Sequence, residues 1–210
     1  MPVKTNEREY RKCADFQAHF RGLTDEPEEY AVEGYAATFD REYELYRYGD
    51  IVFREVIDKN AFAKCDMSDV IMQYDHRGRV FARTKNKTLL LSTDDTGLHV
   101  RAELGGTDIG KQLWQEIRGG YTDKMSFGFV VSDDKTDRRL DGGKTVITRR
   151  ILGVSKLYDV SAVSMPANDS TSISARSFCD GVIAELEAER LAALEIQRRR
   201  LALKIQILGG

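Results

Sequence analysis

A run of short apolar–polar alternations, each closed by a turn signal, fills residues 30–164 and constrains the fold more than any other feature of the chain. Candidate strands fall at 30–39, 51–57, 70–74, 79–83, 88–92, 97–104, 124–132, 144–152 and 156–164. Leu98-His99-Val100-Arg101-Ala102-Glu103-Leu104 is the cleanest, with an apolar side chain at every second position. That is the period of a strand buried on one face. Asp94-Asp95-Thr96-Gly97 and Asp141-Gly142-Gly143 supply the residue types that hairpin connections demand. Many short strands at near-regular spacing predict a mainly β barrel or sandwich, and alternation alone does not choose between them.

Two short helices are expected between the strands. Asp58 can cap residues 59–65, and Thr107 or Asp108 can cap a helix through Arg118, with Ile109, Leu113 and Ile117 on one stripe and Gly119 as its stop. The β-rich body ends near Arg176. Over 180–208 the chain turns to Ala, Leu, Ile, Glu and Arg. At the helical period Ile183, Leu186, Leu194, Leu201, Ile205 and Leu208 share one stripe, while Ile196, Leu203 and Ile207 lie opposite. Two apolar sides suit packing between neighbours. Arg198-Arg199-Arg200, with Glu185, Glu187, Glu189 and Glu195 nearby, reads as a solvated helix face rather than a nucleic-acid patch. The expected division is an N-terminal arm 1–29, a β domain 30–178 and a C-terminal amphipathic helix 179–210.

A chain of 210 residues has room for one domain and an appendage. Its 32 Lys+Arg against 34 Asp+Glu exclude a globally basic nucleic-acid binder. No apolar run reaches the roughly 18–20 residues that cross a bilayer. Met1 to Tyr10 is polar and lacks a signal-peptide core, so a soluble, intracellular chain is expected. Cys13, Cys65 and Cys179 are odd in number and far apart, which gives neither a disulfide framework nor a cysteine zinc site and fits a reducing compartment.

The absence of a His-Glu-x-x-His pair and of any glycine-rich phosphate loop leaves no metal or cofactor to expect. What remains is nucleophilic hydrolysis by a hydroxyl and an imidazole. His76 follows a candidate strand and leads into Arg77-Gly78, so the sheet can hold an accessible imidazole there; its plain reading is a surface turn histidine. His99 sits inside an alternating strand on the solvent side, and His19 lies in the polar arm. Ser126 stands in Lys124-Met125-Ser126-Phe127-Gly128-Phe129, where Gly128 permits close backbone approach and the Phe127 or Gly128 amide can face an oxyanion. Its plain reading is structural. Asp159 lies among apolar strand neighbours and needs a partner, either a protonated imidazole or an arginine such as Arg149 or Arg150. Cys65 is a second conceivable nucleophile, though a half-buried structural thiol explains it as well.

Taken in order, Gly34-Tyr35-Ala36-Ala37-Thr38-Phe39-Asp40, Asn60-Ala61-Phe62, Asp75-His76, Lys124-Met125-Ser126-Phe127-Gly128-Phe129 and Asp159-Val160-Ser161-Ala162-Val163-Ser164-Met165-Pro166-Ala167 resemble the prohead protease family of tailed phages. The resemblance spans residues 30–176. It implies a closed or partly open β-barrel of the herpesvirus-protease (assemblin) type. It implies Ser126 as nucleophile, His76 as general base and Asp159 as orienting acid. It further implies a serine endopeptidase that works inside the viral procapsid, in the host cytoplasm, during capsid maturation. The implied substrates are a scaffold, or a scaffold-like segment of the major capsid protein, and the protease itself. Neither nucleic acid nor membrane is expected as a partner, and the C-terminal helix is expected to join copies into a homo-oligomer.

This sequence departs from the family pattern in places. The family often has Glu where Asp159 stands, and Lys59-Asn60-Ala61-Phe62 replaces its Pro-Gly-Ala-Phe. Assemblins use a second histidine that follows the serine, whereas His99 precedes Ser126. Two rival readings are a non-enzymatic capsid-assembly or scaffolding protein with a degenerate protease barrel, and a metal-dependent hydrolase built on His76, Asp75 and Asp69.

Overall fold

The computed structural model describes residues 8–14, 16–18, 30–163 and 173–208, with the side chains of 8–11, 30–163 and 179–203. His19 and the segment 164–172, which carries Ser164, Met165, Pro166 and Ala167 of the last motif, lie outside the described residues. Eleven strands and two helices follow one another as β1 (Glu9–Ala14), β2 (Phe16–Ala18), β3 (Ala31–Thr38), β4 (Tyr43–Tyr48), β5 (Ile51–Ile57), β6 (Ile71–Tyr74), β7 (Arg77–Arg83), β8 (Leu89–Thr93), β9 (Gly97–Glu103), α1 (Asp108–Arg118), β10 (Lys124–Asp141), β11 (Lys144–Val163) and α2 (Ile173–Leu208). Among the described residues no helix is long and apolar enough to cross a membrane.

The strands form two sheets. The larger has the order β1-β10-β11-β5-β4, with β6 on β11 and β7 on β6; the smaller is β2-β3-β9-β8. β11 is the spine. It runs antiparallel to β10 along nearly its whole length, parallel to β5 over Thr145–Ile151, and parallel to β6 over Asp159–Ala162. The expected strands 144–152 and 156–164 are therefore one continuous strand. Gly142 and Gly143, both at positive φ (57° and 79°), make the tight turn that joins it to β10.

The fold is mainly β with a C-terminal helix, as the alternation predicts. Among the described residues the two sheets are separate ladders and do not close on each other. Closure depends on shear and tilt across the whole sheet, which local alternation does not encode.

The core lies between the sheets. Val32, Leu98, Val100 and Ala102 of the smaller sheet meet Met72, Met125, Phe127, Phe129, Leu157 and Val160 of the larger. Each fully buried Leu, Ile, Val, Met or Phe side chain stabilises the fold by roughly 1.5–3 kcal/mol relative to exposure. α1 closes one end with Leu113, Trp114 and Ile117, and Trp114 Nε1 donates to Ala31 O at 3.1 Å. Thr107 caps this helix, its Oγ1 accepting from Gly110 N. The helix expected at 59–65 is instead a chain of turns, with Ala61 N donating to Asp58 O and Cys65 N to Phe62 O. Asp58 Oδ1 still accepts from Asn60 N, so the capping residue is right but nothing propagates beyond it.

α2 starts before the composition change, and among the described residues its apolar contacts with the sheet lie in its first half, with Glu189 accepting from Arg138 at 2.9 Å. Cys179, Val182 and Ile183 pack on Phe53 and Ile147. Leu194 and Leu201, expected to bury one stripe, are 48% and 62% exposed, and Ile196 and Leu203 are exposed too.

Candidate active site

The β10–β11 ladder sets Ser126 opposite Ser161 and Gly128 opposite Asp159. On the other edge of β11, β6 runs up to Tyr74 beside Ala162. The chain then reverses through Asp75 and His76, because Tyr74 pairs directly with Arg77. Both turn residues take positive φ, 47° and 58°, as a two-residue hairpin turn matched to strand twist requires. Asp and His tolerate this region better than most non-glycine residues. Asp75 N donates to Ala162 O at 2.9 Å and pins the turn against the spine strand. His76 is thereby carried over the sheet toward Ser126, and the turn lies two residues earlier than Arg77-Gly78 suggests.

The side chains meet in series. His76 Nδ1 contacts Asp159 Oδ2, and His76 Nε2 lies 2.6 Å from Ser126 Oγ. Asp159 is fully buried and accepts a hydrogen bond from Ser161 Oγ at 2.7 Å, while its Oδ1 pairs with Arg8. Burial pushes the Asp159 carboxyl up, but His76, the Ser161 hydroxyl and Arg8 outweigh it and hold the pKa below its ordinary value. The anion is thus kept in a site where an unpartnered carboxylate would take up a proton. Ser126 is almost completely buried, and its Oγ also donates to Arg11 O at 2.9 Å. Tyr10 meets the His76 ring edge-on at 4.3 Å. The Arg8 guanidinium lies over the Tyr158 ring at 4.5 Å.

The structure brings His76, Ser126 and Asp159 together. Phe127 and Gly128 follow Ser126 on the same strand, paired with Val160 and Asp159 on one side and with Arg11 and Tyr10 on the other. Arg149 and Arg150 are not the partners of Asp159: Arg149 binds Glu9 and Asp134, and Arg150 binds Asp40 and Asp58. His99 belongs to the smaller sheet and packs against Tyr35. Burial pushes the Cys65 thiol up to about 12, the opposite of what a nucleophilic thiol needs. Asp69 is committed to Arg83 and Lys85, which removes it from any site built with His76.

Three contributors escape the sequence reading. Ser161 carries a signal after the fact, since it stands two residues from Asp159 on the same strand face. Arg8 and Tyr10 carry none, because their roles arise from pairing with a strand more than a hundred residues away.

A hydroxyl, an imidazole and a buried carboxylate in series, on a two-sheet β body, form a site of the serine-hydrolase kind. The chain belongs to the caudovirus prohead serine protease family, whose model matches residues 18–181. It is similar to the prohead protease of Enterobacteria phage HK97, 30% identical over 153 residues, which are 71% of this chain and 61% of that protein. The chain thus spans about three fifths of that relative's length. The solved bacteriophage T4 capsid assembly protease is a distant structural neighbour, with a TM-score of 0.41 and 12% identity over 75% of this chain and 99% of that one.

Proposed function

We propose that the chain is a serine endopeptidase that cleaves scaffold or scaffold-like capsid-protein segments, and itself, within the procapsid during phage head maturation. One observation carries this reading: His76 faces Ser126 Oγ with one ring nitrogen and the Asp159 carboxylate with the other. In that arrangement His76 Nε2 takes the Ser126 proton as Oγ attacks a peptide carbonyl, then returns it to the leaving amine as the peptide bond breaks. Water, deprotonated by the same nitrogen, then releases the acyl group. Asp159 holds Nδ1–H and stabilises the imidazolium formed at each attack. The oxyanion donor in this scheme is whichever of the Phe127 and Gly128 amides faces the β1 edge, since successive amides of a strand point to opposite edges and the other is spent in the β11 ladder. Loss of such a donor typically costs about 2.7–4 kcal/mol of barrier height.

The proposal keeps an N-terminal arm 1–29, a protease domain 30–178 akin to the herpesvirus barrel, and a C-terminal helix 179–210. It places the activity in the host cytoplasm, inside the procapsid. The test is to co-express the chain with its capsid protein and map the new termini by mass spectrometry. New termini in the capsid protein are expected; an intact capsid protein beside a folded, soluble chain defeats the reading.

The C-terminal helix is assigned to self-association. Leu191, Leu194, Ile196, Leu201 and Leu203 are all exposed, and burying each stabilises a contact by roughly 1.5–3 kcal/mol. Deleting the helix would also strip Val182 and Ile183 from Phe53 and Ile147, so point changes beyond the docked turn are the cleaner probe. Leu194→Glu with Leu201→Glu is expected to lower the mass read by size-exclusion with light scattering and leave the melting temperature unchanged. An unaltered oligomeric state would make the helix end a dispensable tail.

A further inference from the structure

β1 lies along the strand that carries Ser126. It pairs antiparallel with β10 from Glu9 opposite Phe129 to Ala14 opposite Lys124, which sets Lys12 opposite Ser126. The Arg11 carbonyl oxygen therefore stands 2.9 Å from Ser126 Oγ and accepts its hydrogen bond. A serine hydroxyl has one proton to give. While Arg11 O takes it, His76 Nε2 does not, and the carbonyl presents its oxygen rather than its carbon to the nucleophile. Amides of β10 that face β1 are likewise occupied by the ladder as long as β1 stays.

Alternation sends the side chains of β1 to opposite faces. Arg8 and Tyr10 reach Asp159 and His76. Glu9 and Arg11 enter a buried charged pocket on the other side. Arg11 binds Glu55, with Nη2 2.7 Å from Oε2, and Tyr43 donates to the same carboxylate. Glu9 receives two hydrogen bonds from Arg149, at 2.9 and 3.1 Å. Glu9, Arg11, Glu55 and Arg149 are each at most 6% exposed. Charges buried this deeply cost several kcal/mol apiece unless matched. The body of the protein thus carries a fixed anion on β5 and a fixed cation on β11, spaced for two residues on one face of an extended strand.

Resting on the peptidase reading above, we propose that the β1 edge of β10 is the docking site for substrate strands, that Glu55 and Arg149 select a Glu-x-Arg sequence with the arginine carbonyl at Ser126, and that β1 occupies this site as an intramolecular stand-in. Substrates add to the sheet as a strand and must displace the arm, so the site is closed until a competing segment arrives at high local concentration.

The test uses full-length Ser126→Ala protein, which binds without cutting, and follows hydrogen exchange of the β1 amides by mass spectrometry. The probe is the synthetic peptide Arg-Glu-Tyr-Arg-Lys, with controls in which its Glu and second Arg become Ala or exchange places. An arm joined through the chain competes at an effective concentration on the order of millimolar. A second protein, Ser126→Ala with Arg11→Ala, therefore carries a weakened arm. The Glu-x-Arg peptide is expected to deprotect β1 in both, at lower concentration in the second, while neither control does so. Unchanged β1 exchange in both proteins, or equal displacement by the controls, overturns the docking site. If β1 is displaced but unmodified protein cuts no peptide, the docking site stands and the peptidase reading falls. If unmodified protein cuts peptides without regard to Glu-x-Arg, the docking site falls alone.

Discussion

Ser126→Ala is expected to give a folded protein that cleaves nothing. The side chain is buried in a strand paired on both sides, and only one oxygen is removed, so no cavity of consequence opens. The change leaves the Arg11 carbonyl and one ring nitrogen of His76 without this partner, which costs on the order of 1–3 kcal/mol of stability. The remaining core and both ladders are untouched, and the circular dichroism spectrum should match that of the parent. Catalysis has no such reserve. Among the described residues Ser126 Oγ is the hydroxyl that faces a ring nitrogen of His76, and removing the nucleophile of a serine protease lowers kcat by about a million-fold. Intact-mass analysis of co-expressed capsid protein reads the loss directly. Parent-like cleavage by the alanine variant would end the serine assignment.

The three candidate site residues that the structure brings together are legible because nucleophilic hydrolysis needs particular side chains and the short motifs around them hold the local geometry. Gly128 must be small, since a Cβ there would overlap Asp159 Oδ1 and stand 2.8 Å from Arg8 Nε and Tyr10 Cε1. The elements that finish the site were not legible. β1 reads as a polar tail because its inward residues are Glu9 and Arg11, charges that sequence logic assigns to solvent. They are buried only because Glu55 and Arg149, far away in the chain, offer opposite charges. β4, Tyr-Glu-Leu-Tyr-Arg-Tyr, is illegible for a similar reason: an edge strand with mostly half-exposed side chains shows no apolar period. The C-terminal helix shows the opposite failure. Its apolar pattern is plain, yet Leu194, Ile196, Leu201 and Leu203 are left exposed, since a periodic stripe says that something should be buried and not against what.

Asp159→Asn is expected to slow cleavage by about ten-thousand-fold without unfolding the protein, because an amide can present a donor where Nδ1–H needs an acceptor and so favours the wrong imidazole tautomer. Ser161 Oγ, which shares Oδ2 with His76, can turn to accept from the amide instead of donating, and the shape of the side chain is kept. Arg8 loses an anion, but its guanidinium remains over the Tyr158 ring and its side chain is 35% exposed to water. Gly128→Ala approaches the same carboxylate from outside. Arg8 can swing away from the new methyl group, whereas the buried Asp159, held between His76 and Ser161, can yield only by leaving the imidazole. Loss of activity in Gly128→Ala with a parent-like melting temperature would therefore trace the effect to the site, where the methyl group crowds Asp159 and Tyr10, and not to folding. His99→Ala is the control: it removes a ring from the smaller sheet, beside Tyr35, and should leave the rate unchanged. Full activity in Asp159→Asn together with a dead His99→Ala would reverse the assignment of the third member and point to the assemblin arrangement of two histidines.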